Sequence, residues 1–114
     1  MKKIVLFSLI ALGALFQFCS SPKNAQTVAP AKVTFASNVQ PIIQNSCSPC
    51  HIAGQGKATP LNSFDAAKAH ADEIVDRIKR NPGEKGFMPM RHPKLSDSTI
   101  NVFVQWKEDG LTEK

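Results

Sequence analysis

The segment Cys47-Ser48-Pro49-Cys50-His51 constrains this chain more than any other part of the sequence. Its pattern, C-x-x-C-H, is that of an attachment site for a c-type haem. In such a site Cys47 and Cys50 each form a thioether to the porphyrin, and His51 binds the iron as its proximal ligand. The motif therefore predicts a domain built around one covalently attached haem c.

Two other interpretations of this motif stay open. A redox-active dithiol has the same spacing, but it is expected after a strand in a βαβ unit, and no strand-like alternation precedes Cys47. A structural zinc site requires four ligands. The later candidates, His70 and His92, are 22 positions apart and have no further cysteine near them. Both alternatives lack supporting residues, which favours the haem.

The N-terminus has the pattern of an export signal. Lys2 and Lys3 form a positively charged start, and the following run of 15 mostly apolar residues, 4–18, is short for a membrane span. We therefore predict that residues 1–18 are a signal peptide. The mature protein is then expected in the periplasm or cell envelope.

Cys19 closes this apolar run in a context that resembles a bacterial lipoprotein signal, in which the cysteine becomes the lipidated first residue. Cleavage after Ser21 and an uncleaved anchor are the alternatives. Since the haem would use the other two cysteines, Cys19 has no disulfide partner. Residues 19–32 are rich in Ser, Pro, Asn, Gln, Thr and Ala and predict a flexible tether between a membrane and the domain at 33–114.

The charge of the chain excludes little by itself. The formal net charge is +5 in 114 residues, and two of the basic residues belong to the export signal. No run of Lys and Arg with interleaved aromatic residues is present, so nucleic acid is not an expected partner. The sequence also has no paired carboxylates or Ser/His/Asp set that would indicate a hydrolase.

The domain begins with a segment that has the apolar period of an amphipathic helix. Thr34 is its predicted N-cap. Pro41 predicts either a kink or the start of a second short helix, because proline is tolerated only in the first turn. The apolar positions are Phe35, Val39, Ile42 and Ile43.

A second helix is predicted from Phe64 to Arg80, with Ser63 as its N-cap. Its charged face, with Glu73–Arg77 and Asp76–Arg80 pairs at i, i+4, is predicted to be solvated. His70 lies off the apolar stripe and is predicted to be exposed. The stripe consists of Ala67, Ala71, Ile74, Val75 and Ile78.

The last helix is the most clearly marked. Ser96 is the predicted N-cap, Leu95 and Ile100 form a hydrophobic staple, and Gly110 is the predicted stop. Its apolar face is wide, so we expect contact with both the first helix and a haem edge. Trp106 is predicted to be a core anchor.

Two loops complete the expected haem site. Residues 52–62 form a loop whose backbone, at Pro60 or a neighbour, is expected to accept a hydrogen bond from the axial histidine. Residues 86–93 offer three candidates for the sixth iron ligand, of which Met88 is preferred and Met90 and His92 are alternatives. The loops also carry a predicted basic rim that would steer an acidic partner: Lys57, Lys85, Arg91 and Lys94.

Taken in order, residues 35–43, the C-x-x-C-H motif, Met88-Pro89, and Leu95-Ser96-Asp97 before a helix with Trp106 resemble a class I monohaem cytochrome c domain. The resemblance covers about residues 33–114. It implies a small all-α fold of three to four helices around one haem c, with His51 and Met88 as iron ligands. It also implies electron exchange with redox partner proteins at an exposed haem edge.

These features together predict a non-enzymatic electron carrier or a small oxidoreductase subunit that faces the periplasm and is tethered to a membrane. The alternative is a haem sensor or a peroxidase-like domain, in which the sixth position of the iron is open or labile. Binding of carbon monoxide distinguishes the two.

Overall fold

Four α-helices and one π-helical turn make up the secondary structure of residues 31–114, which are the residues that the computed structural model describes. No strand occurs in this range, so the predicted small all-α fold is confirmed. None of its helices is long and apolar enough to cross a membrane. The predicted signal peptide, Cys19 and the tether up to residue 30 lie outside the described residues.

The first helical segment has two parts. A π-helical turn, Phe35–Val39, is capped by Thr34, whose hydroxyl accepts a hydrogen bond from the Ser37 N–H at 3.4 Å. Helix α1, Gln40–Ser46, follows directly, with Pro41 in its first turn. Proline is tolerated there because the amide of a first-turn residue has no partner within the helix. Pro41 was predicted to cause either a kink or the start of a second short helix, and the structure shows the second short helix.

The prediction of one helix from Phe64 to Arg80 was wrong in its continuity. The chain forms α2, Phe64–Ala69, and α3, Ala71–Lys79, separated by His70, which has φ −107° and ψ 14°. The Ser63 hydroxyl caps α2 as predicted, at 3.4 Å from the Ala66 nitrogen. The break leaves the apolar stripe intact, since the stripe residues on both sides of it are buried.

Helix α4, Asp97–Glu108, has the predicted ends. The Ser96 hydroxyl accepts a hydrogen bond from the Thr99 N–H at 3.2 Å, and Gly110 follows the helix with φ 93°. Trp106 is fully buried, and its indole N–H donates to the Thr112 carbonyl at 2.9 Å. Trp106 is therefore the core anchor that the sequence predicted.

The two ends of the domain meet on α4. The Phe35 N–H donates to the Thr112 carbonyl at 2.9 Å, and the Val33 N–H donates to the Asp109 carboxylate at 2.7 Å. Helix α4 contacts both the π-helical turn and α3, so its predicted contact with the first helical segment is confirmed. The buried core is formed by Phe35, Val39, Ile43, Leu61, Ala67, Ala71, Ile74, Val75, Ile78, Ile100, Phe103 and Trp106.

Candidate functional site

The C-x-x-C-H motif forms the turn that follows α1. The Cys47 N–H donates to the Ile43 carbonyl at 2.9 Å, and the His51 N–H donates to the Cys47 carbonyl at 3.0 Å. Cys47 is half-buried against the core, whereas Cys50 is exposed. Burial raises the pKa of the Cys47 thiol to about 11, so this thiol is protonated at neutral pH. The two sulfur atoms thus lie in different surroundings, one inside and one at the surface.

The loop after the motif fixes the orientation of His51. Its Nδ1 lies 2.7 Å from the Thr59 carbonyl oxygen. Because a carbonyl oxygen can only accept, Nδ1 is the donor in this contact, and in the neutral ring the lone pair then lies on Nε2. The acceptor is thus a neighbour of Pro60, as the sequence analysis expected. A hydrogen bond of this kind to the second ring nitrogen is typical of metal-binding histidines.

Further contacts hold this loop against the motif. The Leu61 N–H donates to the His51 carbonyl at 2.8 Å, and the Ala53 N–H donates to the Asn62 side chain at 2.9 Å. At Gly56 the loop approaches so closely that a Cβ atom would overlap the backbone of Cys50. Only glycine fits at such a position.

An open cavity, here called the inner cleft, lies between the motif, α3 and the loop before α4, and spans about 740 Å³ including space continuous with solvent. Cys47 and His51 form one side, and Met88 also lines it. The cleft is lined mostly by apolar atoms, as is typical of cofactor sites. Its apolar side chains are Leu61, Ile74, Ile78, Met88, Pro89 and Leu95.

A second open cavity, the outer cleft, spans about 910 Å³ including space continuous with solvent and lies on the side of the motif that carries the exposed Cys50. Cys47, His51, Met88 and Pro89 line both clefts. The other residues that line the outer cleft are Ser46, Ser48, Pro49, Cys50, Lys57, Ala58, Met90, Arg91 and His92.

The three candidates for the sixth ligand differ in position. Met88 is half-buried, packs against the core, and lines both clefts. Its N–H donates to the Arg77 carbonyl on α3 at 3.2 Å. Met90 is 72 % exposed, His92 is exposed, and both line the outer cleft alone. The packing therefore favours Met88.

Helix α3 contributes polar side chains to the inner cleft that the sequence analysis had assigned to solvent. His70 is half-buried, which corrects its predicted exposure, and its Nδ1 lies 3.5 Å from the Glu73 carboxylate. Glu73 also pairs with Arg77 at 2.8 Å, and all three side chains line the cleft. The i, i+4 pair was predicted correctly, and the Glu73 carboxylate is exposed as predicted although it also lines the cleft.

Helix α4 does not reach either cleft. Leu95, just before the helix, lines the inner cleft, but no residue of Asp97–Glu108 does. The expected contact of this helix with a haem edge stays a prediction. Its wide apolar face is used by the π-helical turn and α3 instead.

The alternative interpretations of the motif gain no support from the described residues. Within 31–114 no group of three or more His, Cys, Asp or Glu residues is arranged to hold a metal ion. The segment that precedes Cys47 is a helix and not the strand that a thioredoxin-like dithiol requires.

A haem c fits the residues that are present. The mostly apolar inner cleft offers the surroundings that a porphyrin requires, and Cys47 lies at its wall. His51, oriented through its Nδ1, has Nε2 free for iron, and Met88 lines the same cleft. Cys47, which lines both clefts, and Cys50, which lines the outer one, would hold the haem through thioethers.

Comparison with known proteins gives one match. The family described as cytochrome c oxidase, cbb3-type, subunit III matches residues 35–106, which include the motif, both clefts and most of α4. A search of curated proteins and a search of solved structures found no match. From the match and the residues of the site, this chain belongs to the cbb3-type cytochrome c oxidase subunit III family, whose cytochrome c domains carry covalently bound haem c and transfer electrons.

Proposed function

We propose that residues 33–114 bind one haem c through thioethers at Cys47 and Cys50, with His51 and Met88 as the two axial ligands of its iron. The observation that carries the proposal is that His51 and Met88 line the same cleft although they are 37 positions apart in the sequence. In this arrangement the domain is a non-enzymatic carrier of single electrons.

The haem would supply the exchange between ferric and ferrous iron. The protein residues orient its ligands and set the polarity around it and its reduction potential. The Thr59 carbonyl holds the His51 ring in one tautomer and one orientation. Leu61, Ile74, Ile78 and Leu95 present apolar side chains to the inner cleft and so lower the polarity around the haem. A methionine sulfur as sixth ligand raises the reduction potential relative to a histidine.

The outer cleft supports docking of a redox partner near the exposed Cys50. Lys57 and Arg91 line it, no carboxylate does, and the exposed Met90 offers an apolar contact among them. An acidic partner surface with an apolar centre would match this patch. Of the other predicted rim residues, Lys94 donates to the Asn81 side chain at 2.8 Å and so contributes less.

The ligand set is tested by substitution in a host that attaches haem c. We expect a covalent haem with a weak near-infrared sulfur-to-iron band in the ferric protein. The band should disappear and the potential should fall in Met88→Ala, because the sulfur ligand is lost. The matched control is Met90→Ala, which should keep both.

The opposite pattern, with the band lost in Met90→Ala alone, would move the ligand to Met90. Rapid carbon monoxide binding by the unsubstituted ferrous protein would favour the sensor or peroxidase-like alternative. A protein without any covalent haem would contradict the proposal as a whole.

We further propose that residues 1–18 direct export and that lipidated Cys19 attaches the domain to a membrane through the tether 19–32, on the periplasmic side. The contact of Val33 with the domain supports this boundary, since the Val33 N–H donates to the Asp109 carboxylate at 2.7 Å. Labelling of cells with a radioactive fatty acid should mark the protein and fail to mark Cys19→Ser. Equal labelling of both would contradict lipidation at this residue.

A further inference from the structure

We infer that Arg80 is a positioning residue for the sixth iron ligand, acting through the loop that carries Met88. The inference rests on the proposed ligation by Met88. Arg80 follows the last residue of α3 and lines neither cleft. Its contact with the loop is the route by which Arg80 would act on the iron.

The guanidinium of Arg80 joins α3 to this loop with two different nitrogen atoms. Nη2 donates to the Asp76 carboxylate on α3 at 2.5 Å, and Nη1 donates to the backbone carbonyl of Lys85. Lys85 precedes Met88 by three positions. Arginine suits this position because its planar fork can reach two acceptors at once.

The loop backbone closes tightly over this guanidinium. Gly86 has φ 82°, and a Cβ atom there would lie against the guanidinium groups of Arg77 and Arg80. Two residues later, the Met88 N–H donates to the Arg77 carbonyl at 3.2 Å. The segment from Lys85 to Met88 is thus held to the end of α3 at both its ends, and Arg80 provides the first of these contacts.

Loss of the Arg80 contact should leave the Met88 amide as the remaining hydrogen bond from the Lys85–Met88 segment to α3, beside the packing of the Met88 side chain on the core. The methionine sulfur would then leave the iron more often, while the core, which Arg80 does not enter, stays packed. A charge-assisted hydrogen bond is strong enough that its loss should raise the dissociated population about tenfold. Carbon monoxide binds ferrous iron only when the sulfur is off, so its binding rate reports this population.

The experiment measures carbon monoxide binding to the ferrous haem protein and urea unfolding of the ferric one, in the wild type, Arg80→Ala, Asp76→Ala and Lys79→Ala. Arg80→Ala should bind carbon monoxide about tenfold faster than the wild type. Its near-infrared band should also disappear at a lower urea concentration than its helical circular dichroism. Asp76→Ala should change the carbon monoxide rate and the urea concentration of band loss in the same direction, by smaller amounts. Lys79 is exposed, and Lys79→Ala should change neither quantity.

Two results would overturn the assignment of Arg80. One is a carbon monoxide rate in Arg80→Ala equal to that in Lys79→Ala. The other is a joint shift of the band and the circular dichroism, which would mean that Arg80 only stabilises the fold. A wild-type band that survives Met88→Ala would instead refute the proposed ligand, and the inference with it.

Discussion

Gly56 shows how closely a single residue can control the haem site. Its Cα lies against the Cys50 backbone, so the loop that orients His51 and the motif that attaches the haem touch there. Alanine at this position would push the two segments apart. The atoms nearest to the added Cβ all belong to the Cys50 backbone. Because no flexible side chain is involved, a local side-chain movement cannot relieve the strain.

We expect Gly56→Ala to reduce the free energy of unfolding by about 1–3 kcal/mol, the range for overpacked sites, and to lower the yield of covalent haem. Urea denaturation and mass spectrometry measure the two. Gly54→Ala is the matched control, since no atom lies within 4 Å of the added Cβ there. Gly54→Ala should lower the free energy of unfolding by about 1 kcal/mol, because alanine is strained at the positive φ of Gly54. The yield of covalent haem should not change. Equal haem yields in both variants would contradict the role of the Gly56 contact.

At the residue scale, local chemistry indicated candidate residues where a residue type has one clear use. The motif marked Cys47, Cys50 and His51, and the need of an axial histidine for an acceptor pointed to the loop where the Thr59 carbonyl lies. The choice of Met88 among the candidates remains a prediction that its burial supports. No sequence pattern indicated Gly56, because its role comes from a contact with another segment.

At the element scale, helix ends were predictable and helix continuity was not. Ser63, Ser96 and Gly110 act through their own hydroxyl groups or backbone conformation, so the sequence reveals them. The break at His70 contains neither glycine nor proline. The apolar period runs through it unchanged, and a period-based prediction therefore joins α2 and α3.

The polar wall of the inner cleft was missed for a related reason. Glu73 and Arg77 were assigned to solvent because they form an i, i+4 ion pair. They adjoin Ile74 and Ile78 on α3, which also line the cleft. A charged residue next to an apolar stripe can line a cofactor site or face solvent. Which of the two occurs here depends on where the Met88 loop lies against α3.

At the scale of the whole molecule, the fold is closed at one side and open at the other. The chain termini of the domain meet on α4 through backbone and indole hydrogen bonds, with Trp106 fully buried beneath them. On the other side, Ile74, Ile78 and Leu61 line the open inner cleft. All four α-helices thus contribute to one small core, part of which lines the cleft.

A domain of this size has little core to spare, so the covalent haem should supply much of its stability. We expect the double variant Cys47→Ala, Cys50→Ala, which cannot form thioethers, to lose ~5 kcal/mol or more of its unfolding free energy. Truncation of one buried aromatic side chain already costs about 3–5 kcal/mol, and the haem is larger. The total free energy of unfolding of a small domain is about 5–15 kcal/mol. Helical circular dichroism during urea titration measures the loss.

The wild-type chain produced without haem attachment is the control for the two substitutions, and the two proteins should unfold alike. Both should begin with a weaker helical signal than the haem protein and unfold over a broader range of urea. The residues at the open side should lose order first, because the cleft walls then face water, whereas the contacts around Trp106 do not involve the cleft. A double variant that unfolds at the same urea concentration as the haem protein would show that the helices alone hold the cleft open. The haem would then enter a preformed site and add redox chemistry without adding stability.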